Sequence, residues 1–282
     1  MNGMKIVIDA LAAKAEQAAR QSARPEHLES DGLLHCDRCG GATQSRITIL
    51  GELRTVRCIC ECEKKKLEDE RKELLRAEQV QRIARLRASG FDKADMQEWT
   101  FDADDGQQPE LMRAARKYCQ EFNQFKTKGK GLLLYGTIGT GKTFTAACIA
   151  NELISNGWPV LMTNFGRIIN RMQERFEGRQ EYLDSLNNYS LLIIDDLAAE
   201  RDTEFMNEAV FSVIDTRYRA GLPLIITTNL QVSEMISEQA ISKQRIYSRI
   251  LERCHPIEVK GSDRRTEAAV SDYAETSRLL GL

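Results

Sequence analysis

The stretch Gly136–Thr143 reads GTIGTGKT and satisfies the pattern G-x-x-x-x-G-K-[ST] at every fixed position. Its flanks agree with that reading. Leu132, Leu133, Leu134 and Tyr135 form a short apolar run suited to a buried strand, and Phe144 to Leu153 (FTAACIANEL) read as a helix with an apolar face. Strand, glycine-rich turn and helix start make a cradle for an anion. The glycines let backbone N–H groups curl around it, and the helix N-terminus adds partial positive charge. Gly136, Thr137, Gly139, Thr140 and Gly141 supply the cradle. Lys142 can reach the β- and γ-phosphates, and the Thr143 hydroxyl is placed to ligate Mg²⁺. A glycine-rich turn that only connects strand to helix is the alternative, and the context counts against it. The residues point to a bound nucleoside triphosphate.

Downstream, Pro159–Thr163 reads as a second strand and Ser190–Asp195 (SLLIID) as a third, apolar enough to be buried on both faces. It ends in Asp195-Asp196. In that position, after a phosphate loop, Asp195 would hold Mg²⁺ through water and Asp196 would orient or deprotonate the attacking water. An aspartate in the second place is shorter than a glutamate, so slow hydrolysis is expected. Pro223–Thr228 (PLIITT) is a fourth strand and delivers Asn229 beside the γ-phosphate; capping the next helix is that residue's competing role. Before the loop, Glu110–Lys126 reads as one helix.

Two arginine ladders stand out. Arg245, Arg249 and Arg253 recur every fourth residue in QRIYSRILER, and Arg264-Arg265 follow Gly261-Ser262-Asp263. A cation offered to a neighbouring subunit's γ-phosphate is one use of such residues, and a surface salt bridge is the plainer use of any one. Arg167, Arg171, Arg175 and Arg179 should share one face of the helix after the second strand. They suit a phosphate backbone, although Glu174 and Glu177 also allow a solvated helix.

Five of the eight cysteines lie between residues 36 and 62, as Cys36-x-x-Cys39 and Cys58-x-Cys60-x-Cys62. That spacing suits Zn²⁺, which takes four thiolates. Cys36, Cys39, Cys60 and Cys62 are the expected ligands, with Cys58 the substitute and His35 a weaker one. Between the groups, Arg46–Leu50 and Leu53–Arg57 suggest a hairpin around Gly51-Glu52. Such a site is structural, supplying folding energy to a module without a proper core. Residues 5 to 20 suggest an amphipathic helix, and Lys64–Ser89 a charged helix ended by Gly90. Arg82, Arg85 and Arg87 on it could face solvent or a phosphate backbone. The expected boundary lies near residue 90, giving a zinc-binding helical module over 1–90 and an ATPase domain over 91–282.

The net charge of −2 argues against a uniformly basic coat, and no apolar run approaches the ~18 residues of a membrane span. Without an export signal the cysteines do not read as a disulfide framework, so a cytoplasmic protein is expected.

The ordered set C-x-x-C…C-x-C-x-C, GTIGTGKT, LLIIDDL, TTN and RIYSR resembles the AAA+ P-loop ATPases that load bacterial and phage replicative helicases, the DnaC/DnaI type, over nearly the whole chain. The resemblance implies an α/β fold, a parallel sheet flanked by helices, behind the N-terminal zinc module. It implies that the zinc module grips a hexameric replicative helicase and that the ATPase domain binds ATP and single-stranded DNA. It also implies self-association, with ATP held between neighbouring subunits. By position, Arg249 matches the arginine finger, Asn229 sensor 1 and Arg264 the sensor-2 arginine, with Arg265 one residue away. The helix of the Arg167 ladder matches the start of a DNA-contacting insertion. Ala198 departs from the usual glycine after DDL, which leaves that turn less defined. The related transposition helpers of the IstB type, acting with a transposase on duplex DNA, are the alternative; they generally lack a zinc module.

Overall fold

Alternating side chains of short apolar runs must be covered on both faces, and in this chain helices do the covering. The computed structural model describes residues 25–49, 51–174, 178–197 and 203–282. The expected helix over residues 5 to 20 and the turn at Ala198 lie outside them, as does Arg175. The chain divides into two compact units, residues 1–78 and 79–282.

The described part of the first unit is built on two antiparallel hairpins. β1 (Glu26–Leu28) pairs with β2 (Leu34–Cys36), and β3 (Gln44–Ile49) pairs with β4 (Glu52–Arg57). The second hairpin is the one its sequence announces, with Gly51 at φ 83° in the turn. The first was not anticipated. Helix α1 (Glu61–Gly90) begins in this unit and ends in the second.

In the second unit, Ile83 and Leu86 of α1 pack on the apolar core, and Arg82 and Arg87 donate to Gly157 O (3.2 Å) and Ser155 Oγ (3.1 Å). The segment read as one helix is two, α2 (Pro109–Gln120) and α3 (Phe122–Lys128). The helices meet at Glu121, and around it Tyr118, Phe122 and Phe125 form one ring cluster, with the Tyr118 ring 5.9 Å from Phe122 and 4.6 Å from Phe125. There follow β5 (Gly131–Tyr135), α4 (Lys142–Ser155), β6 (Val160–Asn164), α5 (Phe165–Glu174), α6 (Arg179–Ser185), β7 (Leu191–Leu197), α7 (Glu204–Arg219), β8 (Leu224–Thr228), α8 (Val232–Ser237), α9 (Ile241–Arg253), β9 (Cys254–Glu258) and α10 (Arg264–Leu280).

The five strands form one parallel sheet in the order β6-β7-β8-β5-β9. Leu132, Leu134, Leu191, Ile193 and Ile225 point to one core, shared with α2 and α4. Leu133, Leu192, Ile194, Leu224 and Ile226 point to the other, shared with α5, α7 and α9. The sheet thus has helices on both faces, as expected. The edge strand β9 was not read from sequence; its CHPIE carries a proline, which an edge tolerates. Arg217, 1% exposed, ties the end of α7 to the entries of β7 and β8 by donating to Leu186 O (3.1 Å) and Pro223 O (3.1 and 3.3 Å). Burial pulls its pKa down to about 10.

The Arg167 ladder does not share one helix. Arg167 and Arg171 lie on α5, whereas Arg179 opens α6 behind Gly178 at φ 109°, a conformation L side chains avoid. Arg167 and Arg171 approach Asp92 Oδ1 at 3.4 and 3.8 Å, and Arg179 Nε donates to Met172 O at 3.1 Å.

Gly131 sits where β5 meets β8, and a Cβ there would stand 1.7 Å from Leu224 O. Gly131→Ala must therefore push the central strands apart. We expect a loss of roughly 2 kcal/mol or more by chemical denaturation, with the slope unchanged.

Candidate functional site

The C-terminal ends of β5, β7 and β8 open on a cleft of 390 Å³, at the edge of the sheet where parallel α/β folds bind ligands. On one side the phosphate loop enters α4, with Gly139 at φ 75° and Gly141 at φ 97° as the N-cap. No L side chain holds these angles without strain. Gly139, Thr140, Gly141, Lys142 and Thr143 line the cleft. The carbonyls of Gly136 and Thr137 accept from Lys142 Nζ at 2.9 and 2.5 Å. Burial lowers the Lys142 pKa, while Asp196 pulls the other way.

Opposite the loop stand Asp195 and Asp196. Asp195 Oδ1 accepts from Thr143 Oγ1 at 2.8 Å and from Thr227 Oγ1 at 2.6 Å. Thr227 Oγ1 in turn accepts from the Asp196 N–H at 2.8 Å. Asp196 is the non-glycine residue with positive φ, 63°, among the described residues, and the β7–β8 register shifts there, between Ile194 and Leu197. Asn229 Nδ2 reaches Asp196 Oδ1 at 3.5 Å. Sequence reading passed over Thr227. The signal for it was the polar pair Thr227-Thr228 closing an otherwise apolar strand, and both are buried.

Trp99, Ile138 and Phe144 form the apolar wall, with the rings of Trp99 and Phe144 6.1 Å apart. None of these three was singled out from sequence. Arg264 and Arg265 both line the cleft. The structure therefore brings together Lys142, Thr143, Asp195, Asp196, Asn229 and Arg264. Arg249 lies elsewhere in the unit. It pairs with Asp215 Oδ1 at 2.9 Å and stacks on Phe211 (4.7 Å) and Tyr218 (5.5 Å). Its ladder partners do likewise, Arg245 over Phe211 at 4.2 Å and Arg253 over Tyr218 at 4.6 Å. Hard oxygen donors converge at Thr143 and Asp195 beside a helix N-terminus, so this donor set fits Mg²⁺ and a polyphosphate.

In the first unit, the sulfurs of Cys36, Cys39, Cys60 and Cys62 lie within 4.8 Å of one another. Cys62 Sγ is 3.6 Å from Cys36 Sγ and 3.3 Å from Cys60 Sγ. A tetrahedral ZnS₄ centre needs sulfurs about 3.8 Å apart, so the four could hold zinc. Backbone N–H groups of Cys62 and Gly41 hold the Cys39 thiol down at about 6, whereas Cys62, crowded by Cys60, Cys36 and Cys39, is pushed up to about 12. Cys58 stands outside the group and donates to Ala42 O at 3.4 Å. His35 is held by Gly40 O (2.9 Å) and Asp31 Oδ2 (3.1 Å). Among the described residues of this unit only Cys60 and Thr43 are buried, so these residues form no apolar core of their own.

Residues 56–271 match the family described as IstB-like ATP binding protein. The replicative helicase loader DnaI of Bacillus subtilis (strain 168) is 26% identical over 176 residues, 58% of this chain and 56% of that protein. The replicative helicase loader DnaC of Escherichia coli (strain K12) is 28% identical over 146 residues, 49% of this chain and 58% of that one. An insertion-sequence ATP-binding protein of Sinorhizobium fredii is 30% identical over 141 residues, 49% of this chain and 46% of its own length. The chain thus spans little more than half the length of the loaders it matches. A crystal structure of DnaI superposes with a TM-score of 0.51 at 25% identity, over 61% of this chain and 96% of that one.

Zinc analysis of purified variants tests the thiol assignment. Cys58→Ser should keep one zinc per chain, and Cys60→Ser should lose it and unfold the first unit while the second still melts cooperatively. Zinc retained in Cys60→Ser would reverse the assignment of these two cysteines.

Proposed function

The chain belongs to the IstB-like ATP binding protein family, and from that premise we propose that it is an ATP-dependent loader of a hexameric replicative DNA helicase. In this reading it delivers the helicase onto single-stranded DNA in the cytoplasm at replication initiation. The observation that carries the proposal is the similarity to two proteins that are themselves named replicative helicase loaders. Lys142 and the phosphate-loop N–H groups would hold the polyphosphate, with Mg²⁺ at Thr143 and Asp195. The ion, when bound, would neutralise charge on the terminal phosphates. The Trp99, Ile138 and Phe144 wall would take the base.

Asp196, aimed by its left-handed backbone and by Asn229, is the group to orient or deprotonate the attacking water. Its short side chain fits slow, switch-like hydrolysis. The bound state would favour self-association and DNA affinity, and hydrolysis would release the helicase. Arg249 would serve a neighbouring subunit's nucleotide. Its stack on Phe211 and Tyr218 would hold it ready for that contact, and Asp215 would be the partner it leaves. The thiol unit, stabilised by zinc, would be the part that grips the helicase.

A second reading, a transposition helper acting on duplex DNA, is favoured by the family description and by the Sinorhizobium relative. Native mass spectrometry with a hexameric helicase, with and without ATP, separates the two. Several copies per hexamer, lost on deleting residues 1–90, are expected. ATP-dependent filaments on duplex DNA with no helicase complex would establish the helper instead.

The nucleotide chemistry has its own test. Lys142→Ala should weaken ATP binding about tenfold to a hundredfold. Asp196→Asn should bind ATP as the parent does yet turn over about a hundredfold more slowly or worse. Unchanged turnover in Asp196→Asn would remove that residue from the chemistry.

A further inference from the structure

Four contacts close a ring around the phosphate loop. Gln108 Nε2 donates to Thr140 O at 2.7 Å, and the Gln107 N–H donates to Asp105 Oδ1 at 3.1 Å. Asp105 Oδ2 pairs with Arg264 Nη1 at 3.1 Å. The Arg264 N–H then donates to Gly139 O at 3.1 Å. The ring begins and ends on neighbouring residues of the loop, Thr140 and Gly139. Gly106, at φ 74°, makes the turn that sends Asp105 back toward Arg264. Asp263 caps α10 by accepting from the Arg265 and Thr266 N–H groups at 3.0 and 3.3 Å, which fixes the backbone from which Arg264 projects.

We propose that Asp105 is a positioning residue for nucleotide binding, holding the Arg264 guanidinium over the phosphate loop. The proposal rests on the reading of the cleft as an ATP site. A Cβ placed on Gly141 would lie 3.5 Å from both Cζ and Nη1 of Arg264, so the guanidinium lies across the start of α4. That is where the loop N–H groups gather for an anion. An arginine side chain samples many rotamers, and restricting it before the ligand arrives lowers the entropy lost on binding. The ion pair engages Nη1, and a guanidinium has further donors at Nε and Nη2 for a phosphate oxygen. Of Asp102, Asp104 and Asp105, which precede α2, Asp105 is the one paired with an arginine among the described residues.

The test is a double-mutant cycle read as the ATP dissociation constant with Mg²⁺, on the full chain. Asp105→Ala should weaken binding about fivefold in the parent and have no effect in an Arg264→Ala background. Asp105→Asn, which keeps a neutral acceptor, should fall between the parent and Asp105→Ala. The nucleotide-free melting temperature should not move, because the pair is partly exposed and such pairs contribute little to stability. An equal loss from Asp105→Ala with and without Arg264, a lowered melting temperature with that loss, or no loss at all would overturn the proposal. Lys142→Ala run alongside separates the two levels. If it binds ATP like the parent, the reading of the cleft fails; if it loses ATP while Asp105 and Arg264 act independently, only the positioning role fails.

Discussion

Asp195 Oδ1 accepts two hydroxyl hydrogen bonds, from the first turn of α4 through Thr143 and from the end of β8 through Thr227. Those hydroxyls belong to elements far apart in sequence, and they meet because β8 is inserted between β5 and β7 in the sheet. Had β7 paired directly with β5, no third strand would stand between the phosphate loop and the acids. The order of the strands sets the width of the cleft. It also sets which polar groups face each other across it. The apolar alternation of the three central strands is what makes that order stable, since each strand must fill both cores at once.

The same point carries the local strain. A left-handed backbone at a non-glycine residue costs about 1 kcal/mol or more, and Asp196 adopts it at φ 63° where the ladder between β7 and β8 shifts. Two buried threonines offset that cost. Thr227 takes the Asp196 N–H, and Thr228 Oγ1 donates to Leu197 O at 2.9 Å. The bulge is thereby satisfied on both sides, and it turns Asp196 toward Asn229.

Strong local patterns carried the legible part of the structure. LLLY, SLLIID and PLIITT read as buried strands from their apolar runs alone, and a glycine-rich turn followed by Lys142-Thr143 reads as a helix start whose free N–H groups an anion satisfies. Elements set by tertiary context were not legible. The break at Glu121 falls inside a good helical sequence whose aromatic residues Tyr118, Phe122 and Phe125 keep the i, i+4, i+7 spacing of one helical face, so nothing local announces it. The four-residue spacing of Arg167 to Arg179 looks like one helical face, and Gly178 ends that inference. β9 is strand only because β5 offers it an edge. In the cleft, the anionic and cationic groups were readable from residue type. The apolar wall of Trp99, Ile138 and Phe144 was not, because apolar side chains before, within and after a phosphate loop look like ordinary packing.

The two units hold their folds by different means, and this bears on how they could divide a function. The second buries complete strands and the faces of its helices, so its cleft rests on an apolar core that needs no ligand. The described part of the first has no such core. Thr43 joins its hairpins by accepting from the Cys58 N–H at 2.8 Å and donating twice to Leu34 O, through its N–H at 2.7 Å and its hydroxyl at 2.9 Å. Backbone hydrogen bonds of that kind contribute only about 1 kcal/mol each against water, too little for hairpins this open. Four convergent thiols supply what is missing once a metal joins them, because a metal that binds only the folded form adds its binding energy to folding. A metal there would carry the fold without help from side chains such as Leu28, Ile47 and Leu53, which are exposed, two of them about 70%. A unit built this way can present apolar groups to a partner without losing the interactions that keep it folded.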